Sequence, residues 1–215
     1  MNRSIMKSLI AKHQALWLDK AFVASTIMGV LLFGASLVAN YNAIKYATNQ
    51  AGDSSADILL DNLPVVNTDV IFSEGALLFI VFVTCLCFLQ PKIIPFILKS
   101  VALFILIRSG FVIMTHLGPI PERIVTDLDN FRYITSGADL FFSGHTGLPF
   151  LLALIFWEHK YLRWAFLFSS IVAAIAVILG HLHYTIDVFS AFFIAYGIYH
   201  LSLKFFPRAY KYFSV

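Results

Sequence analysis

Six stretches of about twenty mostly apolar residues, each long enough to cross a bilayer as a helix, constrain this chain more than any other feature. They fall at roughly 21–44, 70–89, 92–117, 138–157, 161–181 and 183–205. In hydrocarbon every backbone N–H and C=O must be satisfied internally, so runs of this length form helices rather than open strands or loops. The expected fold is all-α, a polytopic six-helix transmembrane bundle occupying residues 21–205 as one domain. Composition agrees: 60% of residues are hydrophobic against 13% charged, far from a soluble domain. The net charge of +3 is small and its basic residues are scattered between apolar runs, so no nucleic-acid partner is expected. Cys85 and Cys87 lie inside one such run, where thiols behave as small buried hydrophobes. They offer neither a disulfide framework nor a cysteine metal site.

The ends of the chain read differently from its middle. Ile5, Met6, Leu9, Ile10, Leu16 and Trp17 recur at helical spacing between Arg3, Lys7, Lys12 and Lys20, which predicts an interfacial amphipathic helix over 1–20. Residues 206–215 are expected to form a cytoplasmic tail. Eleven of the fifteen Lys and Arg fall in the termini, the 90–99 segment and the 158–163 turn, with Lys204 at the end of the last run. The loops 45–69 and 118–137 instead carry Asp53, Asp57, Asp61, Asp69, Glu122, Asp127 and Asp129. Positive charge marks the cytoplasmic face, so both termini are assigned to the cytoplasm and both loops to the other side.

With that orientation, the polar residues that interrupt the apolar runs gather towards one face. Glu74 opens the second run, Arg108 lies late in the third, Asp139 and His145 open the fourth, and His183 and Asp187 open the sixth. Ionisable side chains at membrane depth are costly and mark function. Ser143-Gly144-His145-Thr146 sits near a helix start, where small residues let backbone N–H groups approach an anion. Taken alone, that tetrapeptide also describes an ordinary capped helix. His183 and Asp187 are four apart, which on a helix brings imidazole and carboxylate to one face. The carboxylate can then hold one ring nitrogen and leave the other free as a nucleophile.

The stretch from Gly137 to Thr146, followed by Gly180-His181-Leu182-His183-Tyr184-Thr185-Ile186-Asp187-Val188, resembles the paired motifs of sphingomyelin synthases, a branch of the type 2 phosphatidic acid phosphatase superfamily. The wider superfamily usually has an arginine six residues before its nucleophilic histidine. Here Val177 stands there, and sphingomyelin synthases also lack that arginine. The resemblance implies six transmembrane helices and a phosphohistidine intermediate. His183 would be the nucleophile, Asp187 its orienting partner, and His145 the acid and base. Ser143 and Gly144 would bind phosphate oxygens, and Arg108 would pair with phosphate or with Glu74. Glu74 and Asp139 match acidic positions of the family.

The expected activity is that of a lipid phosphatase or head-group phosphotransferase. Its partners would be membrane lipids, a phospholipid or lipid phosphate as donor and water, diacylglycerol or ceramide as acceptor. No cofactor is expected; a zinc set built from His145, His181, His183 and Asp187 is the minor alternative. A non-catalytic transporter or scaffold on the same bundle is the rival class. The short chain favours a bacterial inner membrane, with the site facing the periplasm. The head group, acceptor, acyl-chain preference and oligomeric state are not written in the sequence.

Overall fold

The computed structural model describes residues 13–121, 123 and 140–214, and these are helical with no strand among them. The long helices are α1 (Lys20–Asn49), α2 (Asp69–Leu89), α3 (Ile94–Met114), α5 (Lys160–Leu179) and α6 (Thr185–Phe205), with the shorter α4 (Gly144–Ile155) and α7 (Pro207–Ser214). Five helices are long and apolar enough to cross a membrane: α1, α2, α3 with the short turn before it, α5 and α6. These correspond to five of the six predicted runs.

The fourth run differs. Instead of a span over 138–157, the described helix is the twelve-residue α4. At 1.5 Å per residue it is about 18 Å long, well short of the roughly 30 Å hydrocarbon core. Its C-terminal end leads into Trp157, Glu158 and His159, which mark a polar rim. Its N-terminal end therefore starts inside the bundle. Non-helical backbone at that depth is tolerated only where protein groups satisfy it. Here the Arg108 Nε donates to the Phe142 carbonyl at 2.8 Å, and the Ser143 N–H donates to the Asp187 carbonyl at 3.0 Å. Asp139 and residues 1–12 of the predicted interfacial helix lie outside the described residues. Residues 13–18 are helical, and Asp19 breaks that segment by capping α1, its carboxylate accepting from the Ala21 N–H.

The predicted C-terminal tail is largely the helix α7. Ala209 and Phe213, four apart, are buried, and Phe213 meets Phe96 and Phe156 while Tyr210 meets Phe96. That apolar stripe docks the segment on α3 and on the end of α4, which a loose tail would not do. Elsewhere, α1 packs chiefly on α3, and α4 on α5 and α6. The central core runs through Phe96, Phe104, Phe142, Leu151, Phe156, Phe166 and Ile198. The outer surface is equally apolar, with Leu31, Leu77, Leu78, Phe168 and Phe193 all exposed. Lipid is as apolar as that core, so close packing rather than the hydrophobic effect holds the helices together. Helix α2 is the least packed of the spans, burying only Phe72 and Leu86.

Candidate active site

His183 precedes α6 rather than lying within it. The helix begins at Thr185 with Tyr184 as its N-cap, so Asp187 occupies the third helical position. Its carboxylate turns back over the helix start: Oδ2 accepts from the Tyr184 N–H at 3.0 Å and lies 3.5 Å from His183 Nδ1. An acidic group at this position is favoured by the orphan N–H groups and the positive helix end. The four-residue spacing thus works by capping, not by a shared helical face. Asp187 is fully buried and His183 nearly so. With Nδ1 turned to the carboxylate, Nε2 is the ring nitrogen left outside that pair.

Ser143 caps α4, its Oγ accepting from the Thr146 N–H at 3.4 Å. The helix therefore starts where the tetrapeptide predicts. Arg108 lies flat against Gly144, and a side chain at that position would meet its Nε and Cζ at 3.4 and 3.8 Å. Glycine is what lets the guanidinium approach the helix start so closely. The His145 ring rests on Phe72 of α2, with centroids 4.1 Å apart.

Arg108, Gly144, His145 and His183 all line one cavity of about 710 Å³, and Arg123 joins them. Apart from Asn40 and Ser169, the rest of its wall is apolar, from Ile71, Phe79 and Phe82 of α2 to Phe168, Val172 and Val177 of α5. His145 lies close enough to His183 and Arg108 to feel their charge, so these three form a polar group in a largely apolar pocket between α2 and α5. Ser143 and Asp187 stand behind this wall rather than in it, and Ser143 Oγ is engaged in the cap. Glu74 is exposed on α2 and outside the wall, away from the pairing with Arg108 that the sequence suggested.

His181 diverges from His183. It takes a left-handed conformation (φ 51°) just past the end of α5, with its N–H donating to the Ile178 carbonyl and the Leu182 N–H donating to the Val177 carbonyl. Glycine usually fills this position because a Cβ is disfavoured there. Among the described residues no three His, Cys, Asp or Glu side chains are grouped to hold a metal ion.

A second set of residues fixes the His183 segment from outside, and sequence reasoning did not find it. Asp57, in the loop after α1, accepts from the Thr185 N–H at 2.6 Å and from its hydroxyl. The Tyr184 hydroxyl accepts from the Ser55 N–H at 3.0 Å and donates to the Gly118 carbonyl at 2.9 Å. Burial works against the Asp57 charge, but the Thr185 hydroxyl and the N–H groups of Thr185, Leu60 and Leu59 outweigh it and lower its pKa. The only available clue was an acidic residue in a polar loop, which says nothing about what it touches.

Long apolar helices around a buried histidine and carboxylate pair, beside a largely apolar pocket, are consistent with a helical membrane protein. Residues 137–204 match the family model described as PAP2 superfamily C-terminal, and that match supports membership in the PAP2 superfamily. The matched stretch contains His145, His183 and Asp187. Comparisons with curated proteins and with solved structures gave no match.

Proposed function

We propose that the protein is a lipid phosphatase or head-group phosphotransferase, sphingomyelin-synthase-like, working through a phosphohistidine on His183. One observation carries the reading. His183, backed by Asp187, shares with His145, Arg108 and Arg123 one cavity whose largely apolar remaining wall would suit acyl chains. The family match independently suggests a lipid phosphatase-type activity.

Each half-reaction can be written on these residues. Nε2 of His183 attacks phosphorus, forming a P–N bond as the P–O bond to the lipid alcohol breaks. His145 donates its proton to the departing oxygen. The positive charge that develops on the His183 ring is stabilised by Asp187, and the 3.5 Å approach tightens as that charge appears. In the second half His145 takes a proton from water or an acceptor alcohol, whose oxygen then displaces His183 from phosphorus. Arg108 and Arg123 offset the charge on the phosphoryl oxygens. Gly144 leaves room for the phosphoryl group beside Arg108, and Ser143 holds the helix start that faces it. Glu74 and Asp139 are assigned no step. We read α4 as the core of a sixth crossing, with the site facing away from the cytoplasm, because the rim at its far end carries Lys92, Lys160, Arg163 and Arg208.

The test is turnover of head-group-labelled phospholipids and lipid phosphates in mixed micelles, with water, diacylglycerol or ceramide as acceptor. Release or transfer of label that is blocked by vanadate, a mimic of five-coordinate phosphorus, and absent from His183→Ala supports the proposal. A protein that moves lipids between leaflets without breaking any P–O bond contradicts it.

A further inference from the structure

At the opposite end of the bundle lies a second cleft, of about 1410 Å³, between the start of α1, the turn joining α2 to α3, and α7. Its wall carries Lys92, Lys99, Arg208 and Lys211 against one carboxylate, Asp19. That carboxylate is already occupied: Oδ1 accepts from the Ala21 N–H at 2.9 Å and Oδ2 from the Tyr212 hydroxyl at 2.8 Å. No ion pair engages any of the four cations among the described residues. Lys99 is the most constrained of them, half-buried near the start of α3, with Nζ donating to Ser25 Oγ at 2.8 Å.

Four cations sharing one cleft with a single carboxylate leave a net positive charge, and an anion among them lowers the cost of their repulsion. Position indicates which kind. Leu89 is part of the cleft wall and more than half exposed, and the adjoining Phe88 is exposed still further. The charges therefore border the apolar outer surface of the bundle, as the phosphate of a phospholipid borders its own chains. A soluble anion would gain nothing from that apolar border, whereas a lipid's acyl chains would lie along it.

We propose that this cleft binds the anionic head group of a membrane phospholipid, in the leaflet opposite the histidine site. Lys99, Arg208 and Lys211 contact its phosphate and the exposed flank of α2 receives its chains. Neither the family match nor the acid-base chemistry of the first cavity requires this site.

The experiment uses the full chain in micelles containing equal amounts of phosphatidylglycerol and phosphatidylcholine, with retained lipid read by native mass spectrometry. Wild-type protein is expected to retain the anionic lipid at least about fivefold over the zwitterionic one, roughly what one near-surface cation supplies. A Lys99→Gln, Arg208→Gln, Lys211→Gln variant should lose that preference, and Lys99→Arg with Lys211→Arg should keep it. Millimolar inorganic phosphate should not displace the lipid. Should the triple variant fail to fold, Lys211→Gln alone, on the exposed face of α7, should still reduce the preference measurably. The proposal is overturned if wild-type protein shows no preference, if the glutamine variants keep it in full, or if free phosphate displaces the lipid.

Discussion

A histidine placed ahead of its helix has no hydrogen-bonded ladder to fix its ring, so the orientation of His183 depends on Asp187 reaching back across the helix start. The spacing of the pair was legible in the sequence, but its reason was not. Replacing Asp187 by Asn keeps the volume while removing the charge that stabilises a His183 cation. Turnover is expected to fall by roughly the ten-thousandfold typical of breaking a carboxylate–imidazole pair, with the loss read from kcat rather than KM. His145→Ala tests a different role. With a lipid alcohol as leaving group, loss of the acid should cost about 10²- to 10⁴-fold. With a nitrophenyl phosphate ester, whose leaving group needs no proton, the first step should be nearly spared. Equal losses on both substrates would remove His145 from the acid role. Gly144 was legible as a small residue at a helix start, whereas its contact with Arg108 depends on α3 and could not be read locally.

Among the elements, α4 departs most from expectation, and the cause is physical. Hydropathy counts apolar residues without asking whether they are helical, and Leu140, Phe141 and Phe142 are apolar but precede the helix. The Phe142 carbonyl is held by Arg108 and the adjoining Ser143 N–H by the Asp187 carbonyl, partners more than thirty residues away in the chain. The loop after α1 was equally opaque, since its acidic residues were read only as topology. Asp57 couples that loop to the start of α6, and its charge carries the coupling. Its pKa is lower in the folded protein than the ordinary 3.8, so its stabilisation is complete above the unfolded pKa and is lost as pH falls through the lower folded value. Asp57→Asn should therefore destabilise the protein by about 1 kcal/mol at neutral pH, the usual worth of charge-assisted hydrogen bonds discounted for solvent screening. Thermal unfolding of the two proteins should converge as pH drops below about 4, near where a free aspartate protonates. A constant difference down to pH 3 would mean that the charge is not what matters. Gly118→Ala probes the same clamp from its other side. A Cβ there would overlap the Gly52 carbonyl and the Asp53 backbone, costing about 1–3 kcal/mol if the loop must shift.

At the scale of the whole molecule, the sparse burial of α2 leaves its flank beside the cavity open. The helix touches α5 through Phe79 and Phe82 on Phe166 and through Phe72 beside Val177, and the largely apolar cavity bordered by both helices is also lined by His145 and His183. Charge asymmetry ordered the runs and grouped the polar residues in the sequence reading, and of these Arg108, His145 and His183 line one cavity. The sequence could not reveal the cavity, which depends on how two lipid-facing helices pack against each other. Gly75 lines that cavity with open space around it, the nearest atom to a Cβ being Ile71 Cγ2 at 3.9 Å. Gly75→Leu should fold normally, since it also removes a helix-weakening glycine. If its side chain displaces about two buried methylenes of substrate, at roughly 0.8 kcal/mol each, KM for a long-chain lipid phosphate rises about tenfold. A short-chain, water-soluble ester should be unaffected. A matching rise for both substrates would mean that the acyl chain does not occupy this cavity. The most direct test of the account is to quench turnover of a phosphate-labelled lipid and map the label on the protein. Label on His183, stable in alkali, lost in acid and absent from His183→Ala, is the predicted result; undiminished turnover in that variant, or label on another residue, would contradict it.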